Sequence, residues 1–265
     1  MVEKLLSGYI KEIIDEYPEV GKVLEEYAIG CVTCNVGTCL LKDIIEIHNP
    51  SEDDEQIIMA KIANIVYPER EIEIPKIRRK MKPAGYSFSP PMKILVGEHM
   101  FIKRLITLIP TLCEELAKNP KNGKALARKS VEFIRSYADK FHHAKEEEIL
   151  FRYFDENLDI LKVMHEEHEI GRGYVRCIVD SLEKDDYKAV TEHFKRYGEL
   201  LTEHIKKEDE ILYPWLDRNL TTRQVGEIFR KFQEVKEQFG DSPKIHEDFV
   251  CSIELSSRQG QNGGI

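Results

Sequence analysis

One stretch of this chain is written twice, and what it repeats constrains the fold more than any other feature. His142-His143-Ala144-Lys145-Glu146-Glu147-Glu148-Ile149-Leu150-Phe151 returns as His204-Ile205-Lys206-Lys207-Glu208-Asp209-Glu210-Ile211-Leu212-Tyr213, and Asp155 and Asp217 close the two copies. In a helix, residues four apart lie one turn apart on the same face. His142 with Glu146, and His204 with Glu208, therefore each present an imidazole beside a carboxylate. Leu150 with Phe154, and Leu212 with Leu216, carry that face onward as an apolar stripe and turn it inward. A buried His–Glu pair is costly unless its charge is compensated. A bound cation compensates it. The alternative is a solvated face of i,i+4 charge pairs, as on many Glu-rich helices, and the repetition weighs against that.

The rest of this region reads as helices around the doubled motif. Helical segments are predicted over roughly 92–118, 123–154, 160–182 and 187–219. Short polar breaks at 119–123, 155–159 and 183–186 separate them, so consecutive helices should run antiparallel. The expected fold is all-α, an up-down four-helix bundle preceded by a small helical domain. The motif copies fall on its second and fourth helices. The first helix offers His99 and the third His168, each preceded by a glutamate, Glu98 and Glu167. The candidate metal ligands are thus His99, His142, Glu146, His168, His204 and Glu208. Four imidazoles and two carboxylates able to bridge form a balanced set for two divalent ions. Glu147 and Asp209 sit one position beyond the chosen glutamates and would replace them if a helix were rotated. His143 is expected at a helix interface or in solvent, and His165 outside the ligand set. His193 and Tyr197 lie roughly on the face of His204 and are expected mainly to pack, while Cys113 and Cys177 fall in apolar runs and read as core.

Composition bounds the remaining choices. A net charge of −9 with no long basic run argues against a nucleic-acid surface. No apolar run has the length of a membrane span and no secretory signal opens the chain, so the expected setting is cytoplasmic, without a membrane partner. Thiols are kept reduced there, and the six cysteines read as ligands, redox groups or core residues.

The domain divisions expected are 1–66 as a small helical cysteine-containing unit, 67–91 as a Pro-rich linker, 92–220 as the bundle, and 221–265 as a C-terminal helix with a disordered tail from Ser256. In the first unit Cys31, Cys34 and Cys39 sit between helices. They can begin a metal site, form a Cys-x-x-Cys redox pair beside a helix N-terminus, or line a tight turn. The linker's Arg78, Arg79, Lys80 and Lys82 read as a solvated cluster.

Two resemblances follow from these residues. The stretch 17–64, through Tyr17-Pro18-Glu19-Val20, Gly30-Cys31-Val32-Thr33-Cys34 and Leu40-Leu41-Lys42-Asp43-Ile44-Ile45, resembles a small helical family sometimes called a redox-disulfide domain. The segment 95–216 resembles hemerythrin-like domains, through its four helices in order and the histidines and glutamates named above. Oxygen-carrying hemerythrins take five histidines, with a His-x-x-x-His pair on the third helix. Here His165 and His168 are three apart, and the four-histidine set looks more like the repair-of-iron-centres branch, whose members place a small cysteine-bearing domain before the bundle. The adjacent Cys-Cys pair common in that branch is absent here. The resemblance implies a non-haem di-iron centre bridged by Glu146 and Glu208, dioxygen or nitric oxide as the molecules met there, and iron–sulfur proteins as partners receiving iron. Zinc or manganese in place of iron, a sensor without turnover, and a purely structural metal bundle are the alternatives.

Overall fold

The computed structural model describes residues 5–27, 29, 40–48, 50–68 and 87–262. The chain divides into two compact units, Met1–Tyr86 and Ser87–Ile265. Cys31, Cys34, Cys39 and the basic cluster of the linker lie outside the described residues.

The first unit contains α1 (Ile10–Glu16), α2 (Pro18–Glu26), α3 (Leu41–His48) and α4 (Glu52–Val66). Pro18 opens α2 where its missing N–H costs nothing. Ser51 caps α4, its hydroxyl accepting from the Asp54 N–H. The inward residues recur at helical spacing, Val20 with Leu24 and Ile58 with Ile62, and close with Ile10, Leu41 and Met59 into one core. Burial lowers the pKa of His48 to about 4, so this imidazole stays neutral.

The second unit is built on four long helices. These are α5 (Pro90–Lys118), α6, α7 (Asp159–Glu183) and α8. Helix α6 starts as Pro120–Phe133, widens into π-helical turns over Ile134–His143 and Glu146–Leu150, and ends in a 3-10 turn, Phe151–Tyr153. Helix α8 runs as Tyr187–Lys207, widens over Glu208–Leu212, and finishes as Tyr213–Asn219. Asn119 and Asp186 cap α6 and α8 through their side chains. Helix α5 packs on α6 and α8, and α7 packs on α6 and α8, which closes the ring of an up-down bundle. The start of α5 is tied to the end of α8, where the Ser89 N–H donates to Asp217 Oδ2 at 2.9 Å. At the α5–α6 corner a Cβ on Gly123 would meet the Leu116 Cα at 2.4 Å, so only glycine lets the two backbones touch.

The bundle interior is two apolar cores with a polar layer between them. One core gathers Ile102, Leu105, Phe133, Tyr137, Phe194 and Leu201 among others. The other gathers Met92, Leu95, Leu150, Met164, Leu212 and Leu216. Each candidate histidine falls, along its own helix, between residues of the two cores: His99 between Leu95 and Ile102, His204 between Leu201 and Leu212. Apolar packing on both sides thereby fixes the depth of the polar layer.

Two expectations fail, one beyond the four helices and one on α7. A last helix, α10 (Ser242–Asn262), follows α9 (Thr222–Phe239) and continues through the stretch read as a disordered tail. Gly240, at φ +53°, provides the reversal between them. Val250 and Ile253 of α10 are buried against the bundle, contributing roughly 1.5–3 kcal/mol each. Arg104 of α5 forks the Glu254 carboxylate with two hydrogen bonds of 2.7 Å. Cys113 is buried as expected, but Cys177 is exposed. On α7 the inward positions are Val175, Ile178 and Leu182, and Cys177 lies off that stripe.

Candidate metal centre

All six ligands expected from the sequence converge in the polar layer, each 2 % exposed or less. Their ligating atoms form two groups, each spanning less than 4.8 Å: His99, His142, Glu146 and Glu208 in one, and His143, His168 and His204 in the other. The carboxylates join the groups. Glu208 places Oε2 3.3 Å from His99 Nε2 and Oε1 3.2 Å from His204 Nε2. Glu146 Oε2 lies 3.7 Å from His142 Nε2 and 3.6 Å from His168 Nε2.

His143 is the member that sequence spacing placed elsewhere. In an α-helix consecutive side chains diverge by about 100°, and His143 should leave the face that His142 occupies. A π-helical turn takes more residues, so each advances by a smaller angle, and such turns concentrate at functional sites. His142 and His143 end the first π segment of α6 and are both buried. The His143 ring stacks on His168 with centroids 3.9 Å apart and planes 15° apart. The widened turns at Glu146–Leu150 and Glu208–Leu212 begin at the two glutamates that lie between the histidine groups, so the doubled sequence is also a doubled backbone irregularity.

Four of the histidines are held by a carboxylate from a neighbouring helix, and the four contacts run once around the bundle. Glu98 of α5 faces His142 Nδ1 on α6 at 2.9 Å, and Glu147 of α6 faces His168 Nδ1 on α7 at 2.6 Å. Glu167 of α7 faces His204 Nδ1 on α8 at 2.9 Å, and Asp209 of α8 faces His99 Nδ1 on α5 at 2.7 Å. Each carboxylate is the chain neighbour of a ligand on its own helix. Each also has a cation behind it: Lys145 on Glu98, Arg172 on Glu147, Lys207 on Glu167 and Lys103 on Asp209. A carboxylate at Nδ1 keeps the ring proton there and turns a bare Nε2 inward, the arrangement that orients and strengthens a metal-binding imidazole. Lys145 is itself buried, with Nζ 3.5 Å from the Phe141 ring centroid.

Electrostatically the layer is short of positive charge. Burial, and then the charge of Glu208, push the Glu146 carboxyl well above its usual range. Burial also acts to raise Glu208, but His204 and His99 hold it well below. Burial opposes protonation of His204, yet Glu208 and Glu167 lift its pKa to about 9. His99 is raised against burial by Asp209 and Glu208. Burial keeps His142 and His168 neutral, reinforced by neighbouring imidazoles. Protons on His99, His204 and Glu146 thus carry the charge that a cation would carry.

The donors fit such cations. His142 Nε2, Glu146 Oε2 and both Glu208 oxygens are buried with no hydrogen-bond partner among the described residues. His168 Nε2 and His204 Nε2 point at each other across 2.9 Å while both Nδ1 atoms face carboxylates. The proton on His204 bridges that pair in the metal-free layer, and a cation between them would take its place. Imidazole and carboxylate together suit iron, zinc and manganese alike.

Other residues fall as follows. Glu147 and Asp209 face His168 Nδ1 and His99 Nδ1 from outside, while Glu146 and Glu208 face inward. His165 is exposed and edges onto Phe151 at 5.6 Å. Tyr213, the aromatic that ends the second motif copy, is fully buried. Its hydroxyl donates to Glu146, and its ring stacks on His99 with centroids 5.5 Å apart. The signals for the four outer carboxylates stand in the sequence as acidic residues adjoining His99, Glu146, His168 and Glu208. Pairing them across helices needed the bundle.

Residues 91–216 match the family model of the hemerythrin HHE cation binding domain. No curated protein and no solved structure matches the chain. The bundle is therefore a hemerythrin-like, cation-binding domain within a larger chain. No described helix is long and apolar enough to cross a membrane.

Proposed function

We propose that the bundle holds two iron ions, one against each histidine group, and that dioxygen or nitric oxide is the molecule it meets there. The observation that carries this reading is Glu208, with one oxygen on His99 and the other on His204, because a carboxylate so placed links two ions. Iron, when bound, supplies positions open to small molecules and one-electron chemistry. The chain's residues do the rest. Two apolar cores close the layer at either end along the bundle, the four outer carboxylates orient His99, His142, His168 and His204, and Tyr213 donates to Glu146 beside His99.

The four-histidine count behind the likeness to the repair-of-iron-centres branch becomes five with His143. Ligands this deeply buried and this fully oriented speak for retaining metal, so we place small-molecule binding ahead of iron delivery to iron–sulfur proteins. The test is titration of the anaerobic, iron-loaded chain with nitric oxide and with dioxygen, followed by absorption and electron paramagnetic resonance. A saturable change that disappears in His204→Ala is expected. Full iron loading with no response to either gas would remove the proposal and leave a structural metal bundle; turnover with an added reductant separates an enzyme from a sensor.

A further inference from the structure

Beside the second histidine group the bundle encloses a cavity of about 210 Å³. His143, His168 and His204 form its buried end, Ile134, Val175 and Leu201 line its sides, and three arginines reach it from the helix surfaces. Arg172 is committed to Asp139, Glu147 and Glu169. Arg135 and Arg176 are exposed, line the same cavity, and form no hydrogen bond or ion pair with any described residue. The two carboxylates at the cavity are already matched, Asp139 by Arg172 and Glu167 by Lys207 and His204. Its uncompensated charge is therefore positive and sits at the mouth.

The deep end carries unmet polar capacity of the opposite kind. His143 Nδ1 is buried with no hydrogen-bond partner, its facing carboxylate oxygen being Asp139 Oδ1 at 3.9 Å. Tyr197 is 3 % exposed, and its hydroxyl has no partner among the described residues. The Tyr197 hydroxyl thus keeps its hydrogen-bonding capacity for something in the cavity that it lines. At about 30 Å³ per water, the space is roughly that of seven waters, enough for a small organic molecule.

The geometry points to a binding site for a small organic monocarboxylate that bears a second, uncharged polar group. Its carboxylate lies between Arg135 and Arg176, its short apolar body along Ile134, Val175 and Leu201, and its polar end at the Tyr197 hydroxyl. An inorganic oxoanion has no body to cover the apolar walls. A dicarboxylate would bring its second charge against Asp139 and Glu167. The site is built from the chain alone and does not require an ion in the neighbouring centre.

The experiment is ligand-observed NMR titration of the full chain, metal-loaded and metal-stripped, with 4-hydroxybutyrate, butyrate and inorganic phosphate. Saturable binding is expected in both forms, tightest for 4-hydroxybutyrate. Combined Arg135→Gln and Arg176→Gln should weaken it at least about tenfold by removing charge-assisted contacts. Tyr197→Phe should abolish the preference for 4-hydroxybutyrate over butyrate. A Cβ on Gly171 meets the side chains of Leu201, Tyr197 and Leu200 at 3.6, 3.8 and 3.9 Å, all ordinary contacts, so Gly171→Val extends into the cavity without displacing backbone and should block binding. Far-UV circular dichroism verifies that each variant is folded. No saturable binding of either acid, phosphate binding more tightly than both, or binding unchanged in the arginine and Gly171 variants would overturn the site. Binding only in the metal-loaded form would overturn this placement of the ligand, whereas loss of the metal centre with binding intact would count against the iron proposal alone.

Discussion

Replacing Glu208 by alanine should leave the bundle unable to retain either ion. This carboxylate reaches His99 in one histidine group and His204 in the other, and it is the anion that offsets both. Its removal takes one donor from each ion together with the charge that holds them adjacent. The loss should exceed the roughly 10–100-fold in affinity that an outer orienting residue costs. Glu98→Gln is the matching outer change, because it leaves every inner donor in place and alters only the hydrogen bond to His142 and the pairing with Lys145. Equilibrium dialysis against a buffered metal series, followed by elemental analysis, should give a near-empty Glu208→Ala chain and a Glu98→Gln chain that fills at higher free metal. Equal occupancy in the two variants would deny Glu208 its bridging place.

Stripping the metal should lower the melting temperature of the bundle by roughly 10–20 °C. An ion present at about a hundred times its Kd stabilises the folded state by ~2.7 kcal/mol, so two contribute about 5 kcal/mol. In a domain of this size each kcal/mol corresponds to roughly 2–4 °C. The gap should also depend on pH in a set direction. In the metal-free bundle the folded-state pKa of His204 is raised to about 9 and that of His99 is raised too. A raised pKa contributes stability that is complete below the unfolded value, near 6.5, and is lost as the pH climbs through the folded value. Metal binding displaces those same protons and therefore strengthens as the pH rises. Both effects widen the difference between loaded and stripped protein from pH 6.5 towards 9. Calorimetry with and without chelator checks it, and a difference that is absent, or that narrows with rising pH, contradicts the charge arrangement described.

The helices and six of the seven inner residues were legible because their signals are local. The His-to-Glu spacing of four, written twice, marks one face, and the polar breaks between apolar stripes mark the turns. His143 was not legible, since an α-helical step sends it off the face of His142 and only the widened turn returns it. The orienting ring had a visible half, the acidic neighbours Glu98, Glu147, Glu167 and Asp209. Which histidine each one serves depends on the order of helices around the bundle, a non-local property. Helix α10 was obscured by composition. Its Gln- and Gly-rich end reads as disorder, while Val250, Ile253 and the Arg104–Glu254 fork that hold it to the bundle are contacts with residues about 150 positions away.

If two ions share Glu146 and Glu208 between the two histidine groups, the metal content of anaerobically purified protein must depend on Glu208. Elemental analysis joined to an absorption spectrum should find about two irons per chain in the parent and almost none in Glu208→Ala. One ion per chain, or two that persist without Glu208, would contradict the shared site; two zinc ions with a featureless spectrum would keep the geometry and remove the iron chemistry.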